Sequence, residues 1–508
     1  MLTRFQEQFI AARRASTPLV VVRNSDNASA LSSIHGAIKE SDPIIVWDCV
    51  TGFQDATASA KQKIASICQQ QSIEASLDLV NALSMIRAYS ERQSEDDLVV
   101  CLYNIHLLWS ESPIIQAIWN LRESFKRVGN TLVLMTNQGA IAPNELSSDV
   151  LVLDEPLPDS ITLTRLIKRV IESAGLPEQS PETIQKCLDA LNGLAAFPAE
   201  QSLAMSISRK DQTINFAELW ERKKQAINAT NGLSVWEGKQ SLAMVAGLDN
   251  VKGYLTAIME GNDSPKTILY LDEIEKTVAG SGTDTSGVKT ELVGQMLRWT
   301  QDKDMSGVLF IGVPGGGKSE LAKALGLTYG IPTINFDLAG MQHSHVGQSG
   351  ANLRTAIATV DAISSGRVLL IATCNSIDAL SPELRRRFKD GTFFFDAPSE
   401  VERAAIWKLY RDKYSIPVDD PTPVDHGWTG AEIKECCSKA YRLRLPLSKA
   451  ATYIVPVTVS SHDIIERLRS NSSGKFLSAS NPGMYVHAQS AQLSQSSVEA
   501  SGSRRIRD

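Results

Sequence analysis

The sequence predicts an α/β protein of two P-loop-type parallel sheets, each followed by a helical, lid-like segment, the first sheet lacking a phosphate loop. Three observations predict it. Short apolar runs alternate with helical patterns in both halves of the 508 residues, a glycine-rich phosphate loop occurs in the second half only, and each alternating stretch runs into an all-helical one. A chain of this length exceeds one ordinary core.

Composition narrows the partners. A formal net charge of -6 gives no global field for nucleic acid or an anionic membrane, so composition argues against a nucleic-acid partner. No stretch reaches about 18 uninterrupted apolar residues. The start, MLTRFQEQFIAARR, lacks the apolar core of a secretory signal, so the expected location is cytoplasmic or organelle-stromal, with no membrane segment. The seven cysteines show no C-x-x-C spacing and read as buried, reduced thiols.

In chain order, residues 1–158 hold PLVVV at 18–22, PIIVW at 43–47, LVVCLY at 98–103, TLVLM at 131–135 and VLVL at 150–153, the strands of a degenerate α/β domain. After its first strand the segment NSDNASALSSIHGAIK offers Gly36 alone and no G-K-S/T, so no nucleotide is expected there. Asn104 and His106 stand where a working phosphate-hydrolysing sheet would carry carboxylates, and His106 reads as a core residue. Residues 159–229 are helical, broken at Pro177, Pro181 and Pro198, and 230–246 read as a linker.

Residues 247–398 carry the chemistry. Val308 to Ile311 read as a buried strand, and Gly312, Val313, Pro314, Gly315, Gly316, Gly317, Lys318 and Ser319 form a full P-loop, with Glu320 next at the start of a helix. Its backbone N–H groups can close around phosphate, Lys318 can reach the β and γ phosphates, and the Ser319 hydroxyl can hold Mg²⁺, so ATP and Mg²⁺ are the expected ligands. Earlier in the chain, TILYLDEIEK places an apolar strand before Asp272, suited to the metal, and Glu273, suited to orienting or deprotonating the attacking water. That order reverses the usual one. The downstream competitor, Asp361, lies in an amphipathic helical pattern.

The strand bearing Asp272 and its helix therefore read as transposed from after the P-loop to before it. The expected order across the sheet is 392–396, 308–311, 367–373, 267–272 and 333–337, all parallel. Each altered connection spans only one or two extra strand spacings of about 4.8 Å, with the right-handed crossovers kept. Further on, RVLLIATCN ends on Asn375, placed to position the lytic water. Arg385, Arg386 and Arg387 suit an arginine finger supplied across a subunit boundary, or a solvated face. Residues 399–468 read as a helical lid, and 469–508, rich in Ser, Ala and Gln, as a disordered tail.

Taken together, GVPGGGKS, LYLDEIEK, ATCNSIDALSPEL, RRRF and GWTGAEI resemble the P-loop, Walker B, sensor 1, arginine-finger and lid elements of AAA-type ATPases. The chain is similar to the little-characterised AAA ATPases encoded by plastids and cyanobacteria, including EPLPD at 155–159, FAELWERKKQAI at 216–227 and AGLDNVKGYL at 246–255. The resemblance implies a self-assembled ring, a hexamer in this clade, that binds Mg-ATP between subunits and acts on a protein client of unknown identity. It places Gly430-Ala431 where other AAA proteins have a sensor 2 arginine, and His345 where many AAA motors carry a peptide-gripping aromatic. Two other readings stay open: a nucleotide-gated binding or scaffold module with little turnover, and a nucleic-acid motor or loader.

Overall fold

The computed structural model describes residues 2–69, 72–208, 210–238, 240–278, 288–303, 305–338, 340–343, 348–376, 380 and 382–487. His345 and residues 488–508 lie outside the described residues. The chain forms two compact units, one of Met1–Ala226 and one of most of Ile227–Asp508.

In the first unit the strands are β1 (Leu19–Asn24), β2 (Ile44–Asp48), β3 (Gly52–Asp55), β4 (Val99–Leu102), β5 (Thr131–Asn137) and β6 (Leu151–Asp154), in the order β3-β2-β4-β5-β1-β6. All are parallel except β3, which pairs antiparallel with β2. Continuous apolar runs suit such a sheet because alternate residues serve opposite faces. Leu19, Val21, Ile45 and Trp47 enter one core with Ile118, Leu121 and Phe125 of helix Ser112–Val128. Their neighbours Val20, Val22, Ile44 and Val46 enter the other with Phe5 and Phe9 of helix Arg4–Arg14. Helices Ser160–Ser173, Pro181–Leu191, Ala196–Met205 and Phe216–Asn228 follow, with a small hairpin of β7 (Ile207–Ser208) and β8 (Thr213–Ile214). They share a separate core that includes Leu163, Ile167, Leu191 and Leu203.

The second unit contains β9 (Leu233–Val235), β10 (Thr267–Leu271), β11 (Ser306–Gly312), β12 (Thr333–Phe336), β13 (Val368–Cys374), β14 (Thr392–Phe395) and β15 (Leu477–Ser478), in the order β15-β14-β11-β13-β10-β12-β9. The inner five are parallel and stand in the spatial order expected for a transposed strand. Thus β10 lies between β12 and β13 although it precedes both in the chain. Helix Gln348–Ser364 leads into β13, and Asp361 upon it accepts from Trp299 Nε1 at 3.2 Å and pairs with Lys303 at 3.1 Å. It is a packing carboxylate.

Two expectations need correction at the edges of this sheet. The stretch read as a linker supplies β9, antiparallel to β12, because Leu233 can bury on an otherwise open edge. Of the stretch 469–508 read as a disordered tail, residues 469–487 instead continue helix His462–Ser472, add β15 beside β14, and bury Phe476, Ala479 and Tyr485. The Tyr485 ring packs 4.2 Å from that of Phe394, so apolar burial outweighs the polar composition. Helices Glu400–Tyr414 and Gly430–Leu443 pack around Trp407, Trp428, Ile433 and Cys437 as a separate helical core. No described helix is long and apolar enough to cross a membrane.

Candidate nucleotide site

The phosphate loop joins β11 to helix Lys318–Tyr329 through Val313–Gly317. Gly312 ends the strand so close to β14 that a Cβ there would lie 2.0 Å from the Phe395 carbonyl oxygen. Gly317 enters the helix at φ 92°, a left-handed conformation costly for any other residue. These constraints hold the loop's backbone N–H groups at a helix N-terminus, where partial positive charge collects.

Lys318 is only 6% exposed, and its Nζ donates to the carbonyls of Gly312 at 2.8 Å and Val313 at 3.0 Å. Burial pushes its pKa down to about 8 against the pull of Glu275, Cys374, Asp272 and Glu273. Ser319 Oγ donates to Asp272 Oδ1 at 3.2 Å. The same oxygen accepts from Tyr270 Oη at 2.6 Å and Thr373 Oγ1 at 2.8 Å. Burial alone would raise the pKa of Asp272, but the Tyr270 and Thr373 hydroxyls, with Lys323 and Ser319, hold it below the ordinary carboxylate value.

Beyond Asp272 the chain turns through Glu273 at φ 46°, an uncommon left-handed residue, whose N–H donates to Thr373 Oγ1 at 2.9 Å. Asn375 Nδ2 donates to Glu273 Oε1 at 3.2 Å and to Glu275 Oε1 at 3.1 Å, and the Asn375 N–H also reaches Glu275 Oε1 at 3.1 Å. Lys276 bridges back to Glu273. The side chains of Asp272, Glu273, Ser319 and Asn375 therefore converge at the C-terminal ends of β10, β11 and β13, where ligands bind in sheets of this kind.

These groups line a cleft of about 390 Å³ together with Pro314–Glu320, the Val245–Leu248 side, lid residues Gly430, Ala431 and Lys434, and Ser480. The arginines are not among its lining. Arg385 closes the short helix Pro382–Arg385, Arg386 is exposed, and Arg387 Nη1 donates to Gln301 Oε1 at 2.7 Å. Sequence reasoning missed Tyr270, Thr373, Glu275, Lys434 and Ser480. Period-two spacing from Asp272 and Asn375 could have found Tyr270 and Thr373, since alternate strand residues share a face.

The residues present fit the expected ligands. A loop braced against β14 presents N–H groups to phosphate, and a lysine already held within that loop stands ready to exchange carbonyl oxygens for phosphate oxygens. Ser319 and Asp272 offer hard oxygen donors side by side, as Mg²⁺ requires when it keeps waters and phosphate oxygens in its remaining positions.

The family model "SpoVK-like AAA ATPase, N-terminal domain" matches residues 5–155, and "ATPase family associated with various cellular activities (AAA)" matches 308–365. The chain is 22% identical to the "Uncharacterized AAA domain-containing protein ycf46" of Guillardia theta over 94% of this chain and 96% of that protein. Identity to the protein of the same name from Trieres chinensis is 21%, covering 86% of this chain and 88% of that one. A more local similarity, 24% over 33% of this chain and 26% of the relative, joins it to "ATP-dependent zinc metalloprotease FTSH 9, chloroplastic" of Arabidopsis thaliana. Two segments of the chain thus match AAA family models, a SpoVK-like N-terminal domain and an AAA domain, and nearly the whole length is similar to the uncharacterised ycf46 AAA proteins.

Proposed function

We propose that the second unit binds Mg-ATP and hydrolyses it, and that copies assembled as a ring use this turnover to remodel or assemble a protein client. The observation that carries the reading is the 3.2 Å approach of Ser319 to Asp272 with Glu273 and Asn375 at the same strand ends, despite the reversed chain order. The P-loop N–H groups and Lys318 bind the phosphates, and Ser319 and Asp272 hold Mg²⁺. Bound metal supplies charge neutralisation across the phosphate oxygens. Glu273 orients the attacking water and takes its proton, while Asn375 fixes the carboxylate and helps position that water. Arg385, Arg386 and Arg387, outside their own cleft, serve the site of a neighbouring copy, and the match of 308–365 to the AAA family model, a family usually oligomeric, supports the assembly.

The variant Glu273→Gln tests this. Hydrolysis should fall about a hundredfold or more with the ATP Kd retained, because the amide keeps the shape and loses the base. A rate that is already low and barely changes would favour the nucleotide-gated scaffold. Retention of the same variant on clients in the presence of ATP would identify what the ring acts on.

A further inference from the structure

The cleft has an unbalanced lining: five carboxylates, Asp272, Glu273, Glu320, Asp396 and Glu402, against two lysines, Lys318 and Lys434. Asp396 is neutralised from outside by Arg469, whose Nε and Nη2 donate to it at 2.8 and 2.7 Å. Lys318 is committed to the phosphate loop. Lys434 is the remaining lining cation, and it arrives on the lid. It lies on helix Gly430–Leu443, four residues after Gly430 and three after Ala431, a spacing that puts all three on one helix face, and all three line the cleft.

Its present partner is informative. Lys434 Nζ donates to Glu320 Oε1 at 2.9 Å, and Glu320 sits in the first turn of the phosphate-loop helix. A carboxylate there is stabilised by the helix N-terminus, as phosphate would be. Once a polyphosphate enters, that carboxylate becomes a like-charged neighbour of the ligand. The lysine side chains and carboxylates are about a third exposed, 38% and 36%, so the pair is a weak brace, free to exchange.

Resting on the reading that this cleft takes a nucleoside triphosphate, we propose that Lys434 is the lid's polyphosphate-binding residue. It is parked on Glu320 until nucleotide replaces that carboxylate. Lys434 then supplies from the lid helix the cation that Gly430-Ala431 does not, and the exchange couples the lid to the charge of the ligand.

The test is titration calorimetry of the full chain with Mg-ATP, for wild type and three variants, with melting temperatures taken without nucleotide. Lys434→Gln should weaken binding about tenfold, and Lys434→Arg, which keeps the charge, should stay within about threefold of wild type. Glu320→Gln, which frees the lysine and removes a competing charge, should tighten binding about threefold. Opposite signs for the two neutralising variants are the signature of parking. If both weaken binding equally, or neither changes it while the proteins stay folded, the pair is only a brace and the inference falls. Failure of the underlying reading looks different: wild type would not bind Mg-ATP, or Lys318→Ala would bind it as well as wild type does.

Discussion

The two sheets share one frame and differ in a handful of atoms at the same end. Strands β4 and β10 occupy equivalent places, pairing Leu102 with Leu134 and Leu271 with Ala372. After the first comes Tyr103-Asn104-Ile105-His106, after the second Asp272-Glu273-Ile274-Glu275. Asn104 and Glu273 are both left-handed, at φ 52° and 46°, and Ile105 and Ile274 are both buried. The turn is therefore a property of the frame, whereas the carboxylates are not. Tyr103 stands at the place of Asp272, the residue proposed to hold the metal, and His106 at that of Glu275.

The phosphate loops differ more deeply. Five residues, Val313–Gly317, separate β11 from its helix, while only Ser25 and Asp26 separate β1 from helix Asn27–His35. A two-residue connection leaves no loop to wrap phosphate. The Asp26 carboxylate also accepts from the Ala28 N–H at 3.1 Å, placing the chain's own anion where a ligand's would sit. The core of such a sheet is thus independent of its loop, and the comparison predicts one nucleotide site per chain.

Lys318→Ala is the largest test of that asymmetry. Removing the buried ammonium should cost about a hundredfold or more in Mg-ATP affinity, and titration should find no second site of comparable strength. A surviving stoichiometric site would place nucleotide in the first unit and break the comparison.

Much of this was legible in the sequence. Continuous aliphatic runs such as Val20-Val21-Val22 and Leu369-Leu370-Ile371 have few fates other than buried parallel strands. Because every inner strand is parallel, the reversed order of Asp272 and Lys318 could be folded on paper from spacing alone. Edge strands β9 and β15 were illegible because Leu-Ser-Val and Leu-Ser carry no pattern until an open sheet edge is there to pair with them. Glu275 and Lys434 were missed for another reason. An acidic or basic residue on a helix face reads as solvated, and only tertiary placement brings Glu275 to Asn375 and Lys434 to the cleft.

A smaller effect separates the two sheets by pH. By register with β1 and β11, Glu155 takes the place that Phe395 fills in the second unit, where Phe395 packs 4.9 Å from Phe310. Glu155 is buried and accepts from the Ser33 and Ser29 hydroxyls at 2.8 and 3.1 Å. Burial raises its pKa from 4.5 to about 7, the serines opposing and Asp26 adding. The folded state thus holds the proton more tightly than the unfolded chain. Its stabilising contribution is complete below about pH 4.5, declines as pH rises, and is gone above about 7, a change of roughly 3 kcal/mol. Asp272, whose pKa is lowered, acts in the opposite sense, its contribution being lost as pH falls. Melting of the first unit should therefore weaken between pH 5 and 7.5, and Glu155→Gln should remove most of that slope. An unchanged slope would dissociate the effect from Glu155.

The finest test is Asp26→Ala. Its carboxylate caps helix Asn27–His35, so its loss should cost about 1 kcal/mol in the first unit's stability, read as a small drop in denaturation midpoint. The nucleotide consequence discriminates more sharply. If the short connection is what excludes phosphate, uncapping the helix leaves the ATP stoichiometry at one per chain, because one exposed turn of N–H groups without a surrounding loop or lysine has no grip on a polyphosphate. If the carboxylate alone is the barrier, the variant gains a second, weaker, salt-sensitive site. That outcome would make the two sheets differ by one side chain rather than by a loop.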